Sequence, residues 1–178
     1  NNGVVLLNGT NQNFAGLNYY SLEMTGGTKT TSGETSIADL LQINAGTVLN
    51  LLPGDSITLK SNASKTARFG QLGIGASIIY GNTATSKFVV ERYIRSGRKW
   101  RYLSIPTDDA TQTFKTSWQE GAALISQNPK PTYGTIIGDP GANWLTNGFD
   151  LKTPAFPTVK TYVAANNSYV GIPATNQP

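Results

Sequence analysis

Residues 41–46 read LQINAG, and they echo two earlier stretches, VLLNG at 5–9 and LEMTG at 22–26. A fourth, ITLKSN, follows at 57–62. In each, two apolar residues stand two apart and a small or turn-forming pair comes next. Positions 5, 22, 41 and 57 lie 17, 19 and 16 residues apart. A repeat this short cannot hold a helical hairpin. It fits one turn of a β-solenoid, whose short strands stack in parallel on their counterparts in the next turn. One turn cannot bury its apolar side chains alone, so stacking gathers them into columns. The predicted columns are Val5/Leu22/Leu41/Ile57 and Leu7/Met24/Ile43/Leu59. A second row sets Thr28 and Thr30 against Val48 or Thr47 and Leu49. The unequal offsets keep an antiparallel sandwich of regularly spaced strands as the rival reading.

Further along, Pro53-Gly54-Asp55 reads as a turn feeding Ser56–Lys60. Residues 61–86 are rich in Gly, Ser and Ala and read as a transition. The expected division is solenoid-like repeats over 1–75 and a β-sandwich-like part over 76–178. In the second part, FVVERYIRSGRKWRYLSI (88–105) predicts two strands around a cationic turn at Ser96–Gly97. The second of these, Arg98–Pro106, ends at proline, which cannot donate to a central ladder. Thr111–Leu124 is the one predicted helix, capped by Thr111 or Thr113, with Phe114 and Trp118 sharing a face. Short strands are expected at Thr135–Ile137, Val159–Val163 and Tyr169–Ile172. The whole reads as all-β: a short parallel β-solenoid, β-helix-like, followed by a β-sandwich-like part with one short helix. The last strands lack a closing partner, so the second part is expected to be incomplete at its C-terminus.

Composition supports a folded chain. Charged residues make up only 13% of 178, while Gly, Asn, Ser and Thr are abundant. Such a mix suits many short strands joined by polar turns, because Gly and Asn adopt positive φ at little cost. The aliphatic and aromatic content is too high for disorder. No apolar run is long enough for a membrane-spanning helix, and no cysteine is present to indicate a redox compartment. The chain starts Asn1-Asn2-Gly3 with neither initiator Met nor signal sequence, and reads as a mature or excised segment.

Chemistry is sparse. Without histidine, neither a Ser–His–Asp nor a Cys–His nucleophile system can form, and the common zinc sites are excluded. The glycine-rich run Gly70–Gly75 lacks the Lys-Ser/Thr ending of a phosphate loop. Asp108-Asp109 reads as a turn or cap in preference to a calcium site. Pectin-lyase enzymes also use β-solenoids, but here Glu23, Glu34, Asp39 and Asp55 are scattered. The chain therefore reads as a non-enzyme needing no cofactor and no metal. The net charge is +4, and Arg92, Arg95, Arg98, Lys99 and Arg101 crowd together with Tyr93, Trp100 and Tyr102 between them. This basic patch fits either a nucleic-acid or acidic-glycan surface or the solvated face of ordinary strands. Among the aromatics, Trp144 and Tyr133 are the candidate ligand-binding platforms, Trp144 because it falls in a loop.

The order of three stretches adds a resemblance. Ser61-Asn62-Ala63 with Thr66-Ala67, then Val89–Ile94, then Gly97–Pro106 resembles large cell-surface, adhesin-like proteins of Bacteroidota exported by the type IX secretion system. Trp118–Gly121, Tyr133–Thr135 and Gly148–Asp150 add to it. It covers roughly residues 40–178. Arg95 stands where those proteins usually carry proline, and the sorting domain they carry is absent from this sequence. The resemblance implies an extracellular, cell-surface structural or adhesive segment, with roles such as gliding or attachment. Its partners would be further domains of a parent chain, secretion components, and surface polysaccharide or like chains. Nucleic-acid binding and membrane insertion are not expected. It also implies O-glycosylation at Ser56, within Asp55-Ser56-Ile57. A glycan-binding module of a secreted polysaccharide-processing protein is the alternative.

Overall fold

The structure is a computed structural model; it describes residues 2–95, 100–104, 107, 110–119 and 134–177. It is mostly β-strand with one short helix, and it divides into a unit at 1–100 and a unit at 101–178.

The first unit holds β1 (Val4–Leu7), β2 (Asn11–Ala15), β3 (Asn18–Met24), β4 (Gly27–Ser32), β5 (Glu34–Ile43), β6 (Thr47–Leu51), β7 (Ser56–Leu59), β8 (Arg68–Phe69), β9 (Ser77–Tyr80) and β10 (Lys87–Val90). Successive strands from β1 to β7 alternate between two sheets. One sheet runs β1-β3-β5-β7-β10, with β8 also on β5; the other runs β2-β4-β6-β9. Every neighbouring pair in both is parallel. The sandwich rival, which requires antiparallel neighbours, does not describe these sheets. Residues 76–90, expected in the following part, supply β9 and β10 to them.

The apolar columns explain the register. Val5 pairs with Leu22 and Leu22 with Leu41; Leu7 pairs with Met24 and Met24 with Ile43. Leu22, Leu41, Met24 and Ile43 are fully buried, together with Ile37, Leu49, Leu51 and Ile57. The alternation is that of strands with one face inward: β6 is buried at Thr47, Leu49 and Leu51 and half-exposed between them. Two parts of the predicted register are corrected. Ile57 lies beside Thr35 and Leu59 beside Ile37, not beside Leu41 and Ile43. The cause is the ten-residue length of β5: β7 takes its first half, and β8 takes Leu40 and Leu41. In the second row, Thr28 pairs with Val48, one of its two expected partners, whereas Thr30 pairs with Asn50 and not with Leu49. The inward residues of β4 are Lys29 and Thr31, one position out of phase with the prediction.

The corners are tight. Gly26 and Gly27 both have positive φ, 70° and 57°, where an L side chain is strained. A Cβ on Gly27 would overlap the Thr10 carbonyl oxygen of the preceding corner. Beneath that corner the fully buried Lys29 donates from its ammonium to the carbonyls of Gly9 and Gly26. Desolvation lowers its pKa from the ordinary lysine value.

In the second unit, α1 (Phe114–Trp118) starts from Thr113. The Thr113 hydroxyl accepts from Thr116 N at 3.1 Å, and the Thr116 hydroxyl accepts from Thr113 N at 3.0 Å. This reciprocal pairing satisfies orphan donors at the helix start. Phe114 and Trp118 meet edge to face at 5.0 Å, as their spacing predicts. The predicted helix is thus shorter at both ends, since 111–113 and 119 are not helical; residues 120–124 lie outside the described residues. The strands here are β11 (Gly138–Asp139), β12 (Leu151–Lys152), β13 (Lys160–Val163) and β14 (Ser168–Gly171). β11 and β12 pair in parallel and β13 and β14 form an antiparallel hairpin. Among the described residues no sheet of this unit exceeds two strands. Ile137, Phe149 and Ile172 form its core, with Phe114, Trp118, Trp144 and Val159 packed on them. Residues 135–137, predicted as a strand, are irregular and lead into β11.

The strand predicted over Arg98–Pro106 is not formed at residues 100–104. The alternation there is a side-chain pattern, and a strand also requires a neighbouring backbone. β10, its expected hairpin partner, instead pairs in parallel with β7.

Candidate functional site

Two surfaces of the first unit concentrate unusual exposure. One is the β1 edge. Gly3 O and Leu7 O accept from Ser21 N and Thr25 N on the β3 side. Alternate residues of a parallel strand bond to opposite neighbours, so the peptide groups of Val4 and Leu6 face away from β3. The two residues are 62% and 51% exposed. Val5, on the inward face, is still 42% exposed, whereas its partner Leu22 is fully buried. Among the described residues, the first rung therefore carries both unpaired backbone groups and an uncovered end of the apolar column.

The other is the segment after β10. Its start is anchored. Glu91 N donates to Leu59 O at 2.9 Å, and the Glu91 carboxylate pairs with Lys60 and accepts from Ser61 N at 3.0 Å. Tyr93 N donates to the Ser61 hydroxyl at 2.9 Å. Arg92 and Arg95 are exposed beside Tyr93 and Ile94, and Arg92 donates to Glu91 O at 2.9 Å. Trp100 is 72% exposed. Arg98 and Lys99 of the predicted patch lie outside the described residues, and Arg101, exposed, opens the second unit. Residues 1–100 hold nine Lys and Arg and five Asp and Glu, so the net charge of +4 resides there and residues 101–178 balance to zero.

Ser56 begins β7, with Glu34 of β5 on one side and Lys87 of β10 on the other. It is half-exposed and faces away from the core, into which Ile57 points. Asp55 before it is buried and accepts from the Thr31 hydroxyl and from Gly33 N at 2.8 Å. The Asp-Ser-Ile turn is thus held by its aspartate, with the serine turned outward.

Trp144, expected as an exposed platform, is half-buried against Ile137, Phe149 and Ile172. Its carbonyl accepts from Phe149 N at 3.0 Å, which folds the loop back onto the core. Tyr133 lies outside the described residues.

One polar network had no signal in the sequence. Asp39 on β5 accepts from the Ser21 hydroxyl at 3.2 Å and pairs with Lys65 at 3.0 Å. The Lys65 ammonium also reaches the Tyr20 hydroxyl and lies 4.1 Å from that ring's centroid. The loop is shaped for this: the Asn62 side chain accepts from Ser64 N and Lys65 N. The Lys65 hydrogen bond is the main cause holding the Asp39 carboxyl below its ordinary value, while Tyr20 leads in raising that of Lys65. These residues pin a loop to a strand. Among the described residues no three His, Cys, Asp or Glu side chains group as metal ligands, and no helix is long and apolar enough to cross a membrane. No protein-family model, curated protein or solved structure matches the chain.

Proposed function

We propose that this chain is a non-catalytic, extracellular structural or adhesive segment of a larger bacterial surface protein, built to continue into an assembly. The two parallel sheets are read as a short β-solenoid, and the second unit as the described portion of a β-sandwich-like part. The observation that carries the proposal is the β1 edge, where Val4, Val5 and Leu6 are exposed and Val5 lies directly over the fully buried Leu22. An uncovered apolar edge invites strand addition, and stacked repeats meet only their neighbours. The occupant is a further turn, from the parent chain or from a like chain. The resemblance to type IX-exported surface proteins of Bacteroidota supports a cell-surface location, an adhesin or gliding role, and a sugar at Ser56. The outward side chain of Ser56 is compatible with that modification.

The test is light scattering and negative-stain microscopy of wild type and of a Val4→Lys/Leu6→Lys double variant. Concentration-dependent assembly of wild type, lost in the variant, is expected. A wild-type monomer at every concentration, together with a parent chain in the source cells no longer than this one, would overturn the proposal. Intact-mass and peptide mapping of the source protein reads the parent length and a hexose on the Ser56 peptide. The glycan-binding reading is favoured by a different observation, in the second unit.

A further inference from the structure

The β13–β14 hairpin carries an aromatic surface that no sequence motif signals. Tyr162 and Tyr169 are direct cross-strand partners, so both rings rise from one face. Their centroids are 5.2 Å apart with the planes tilted by 54°. Lys160 shares that face, and its ammonium lies 6.0 Å from the centroid of Phe156. At the other end the Tyr102 and Tyr169 hydroxyls are 3.0 Å apart, and the Tyr162 hydroxyl donates to Asn167 Oδ1 at 2.8 Å. Asn167 sits in the left-handed region, φ 48°, at the hairpin turn. Tyr162 and Tyr169 are each 51% exposed, Phe156 72% and Tyr102 90%.

We infer that this face binds a single chain of neutral polysaccharide, with the sugar rings stacked on Tyr162 and Tyr169. The inference deepens the adhesive half of the proposed function, on which it rests, by naming the ligand surface. Three features select this occupant. First, at about 200 Å² per fully exposed aromatic side chain, the four rings offer roughly 500 Å². A standard protein interface takes about 800 Å² from each partner, so a second copy or another protein is poorly matched. Second, residues 101–178 carry equal numbers of cations and carboxylates, and Lys160 is the one charge named on this face, so it lacks the cluster of cations that would steer in an anionic chain. Third, the platform presents apolar ring faces edged by phenol oxygens. A Tyr hydroxyl that donates to a neighbour keeps its lone pairs, so it can still accept from a ligand hydroxyl. Sugars offer that same pairing of a C–H face and a hydroxyl edge. The tilt between the rings suits a single twisting chain better than a flat crystalline surface.

The test is affinity electrophoresis of the full chain through gels containing laminarin, hydroxyethylcellulose or, for comparison, anionic alginate. Retardation by at least one neutral glucan is expected. Tyr162→Ala and Tyr169→Ala should each weaken it roughly five- to tenfold, in line with the stacking contribution of an aromatic ring. Tyr162→Phe and Tyr169→Phe, which keep the rings, should lose less. Val170→Ala, on the opposite face of the hairpin, controls for loss of fold and should bind as wild type. No retardation in either neutral glucan, retardation that survives both alanine variants, or retardation by alginate alone would each overturn the inference. Repeating the gels with the Val4→Lys/Leu6→Lys variant separates the two proposals, since glucan binding should persist when assembly is lost.

Discussion

Gly27→Ala tests the stacked corners directly. Gly26 and Gly27 are adjacent and both have positive φ, yet their surroundings differ. Nothing lies within 4 Å of a Cβ added at Gly26, whereas at Gly27 the Cβ would overlap the Thr10 carbonyl. Left-handed backbone costs an L residue about 1–2 kcal/mol, so Gly26→Ala should lose about that much. Gly27→Ala should lose the same strain plus a steric cost of about 1–3 kcal/mol or more, since overpacking of this kind displaces backbone. The total is then roughly 2–5 kcal/mol. For a chain of this size about 1 kcal/mol moves the melting midpoint by about 2–4 °C. The two variants should therefore separate by several degrees in thermal and urea unfolding followed by circular dichroism. Equal midpoints for Gly26→Ala and Gly27→Ala would refute the close approach of the Thr10 and Gly27 corners.

Three further outcomes are expected. The Asp39 carboxyl is held low, chiefly by Lys65, so its contribution is present above the unfolded carboxylate value of about 4 and is lost as pH falls through its folded value. Wild type should lose its advantage over Asp39→Asn below about pH 4 in pH-dependent melts, and a constant difference would count against the pairing. Lys29 has a lowered pKa, so between its folded value and about 10.4 the unfolded chain binds more protons and stability rises with pH. The stability of wild type relative to Lys29→Met should accordingly grow through the alkaline range in urea titrations; a flat difference would contradict a desolvated ammonium. Thr113→Ala removes the cap of α1 and should cost about 0.5–2 kcal/mol of second-unit stability, with Thr113→Ser retaining most of it.

The parallel columns were legible because their cause is local and repeated. Val5, Leu22 and Leu41 each begin a two-apart apolar pair followed by a turn, and one register satisfies all three. The prediction failed at Ile57, where the shorter offset of 16 residues was the available sign that the register changes. Spacing alone does not reveal that β5 is long enough to take two partners. Lys29 was hidden for another reason: a lysine between two threonines reads as solvated, and its burial depends on carbonyls from separate corners. Trp144 lies in a loop, as its flanking residues suggest, but a loop that folds onto a core covers its tryptophan. Tyr162 and Tyr169 become a pair only once the hairpin register is known.

The double occupancy of β5 has a mechanical consequence. β7 is bonded along Glu34–Ile37, and β8 along Leu40–Leu41. A pull on the chain at residues 68–69 would load the far half of β5, while a pull at 56–59 would load the near half. The strand thus acts as a splice between two load paths, and a force that peels one neighbour leaves the other's bonds to β5 still to be broken.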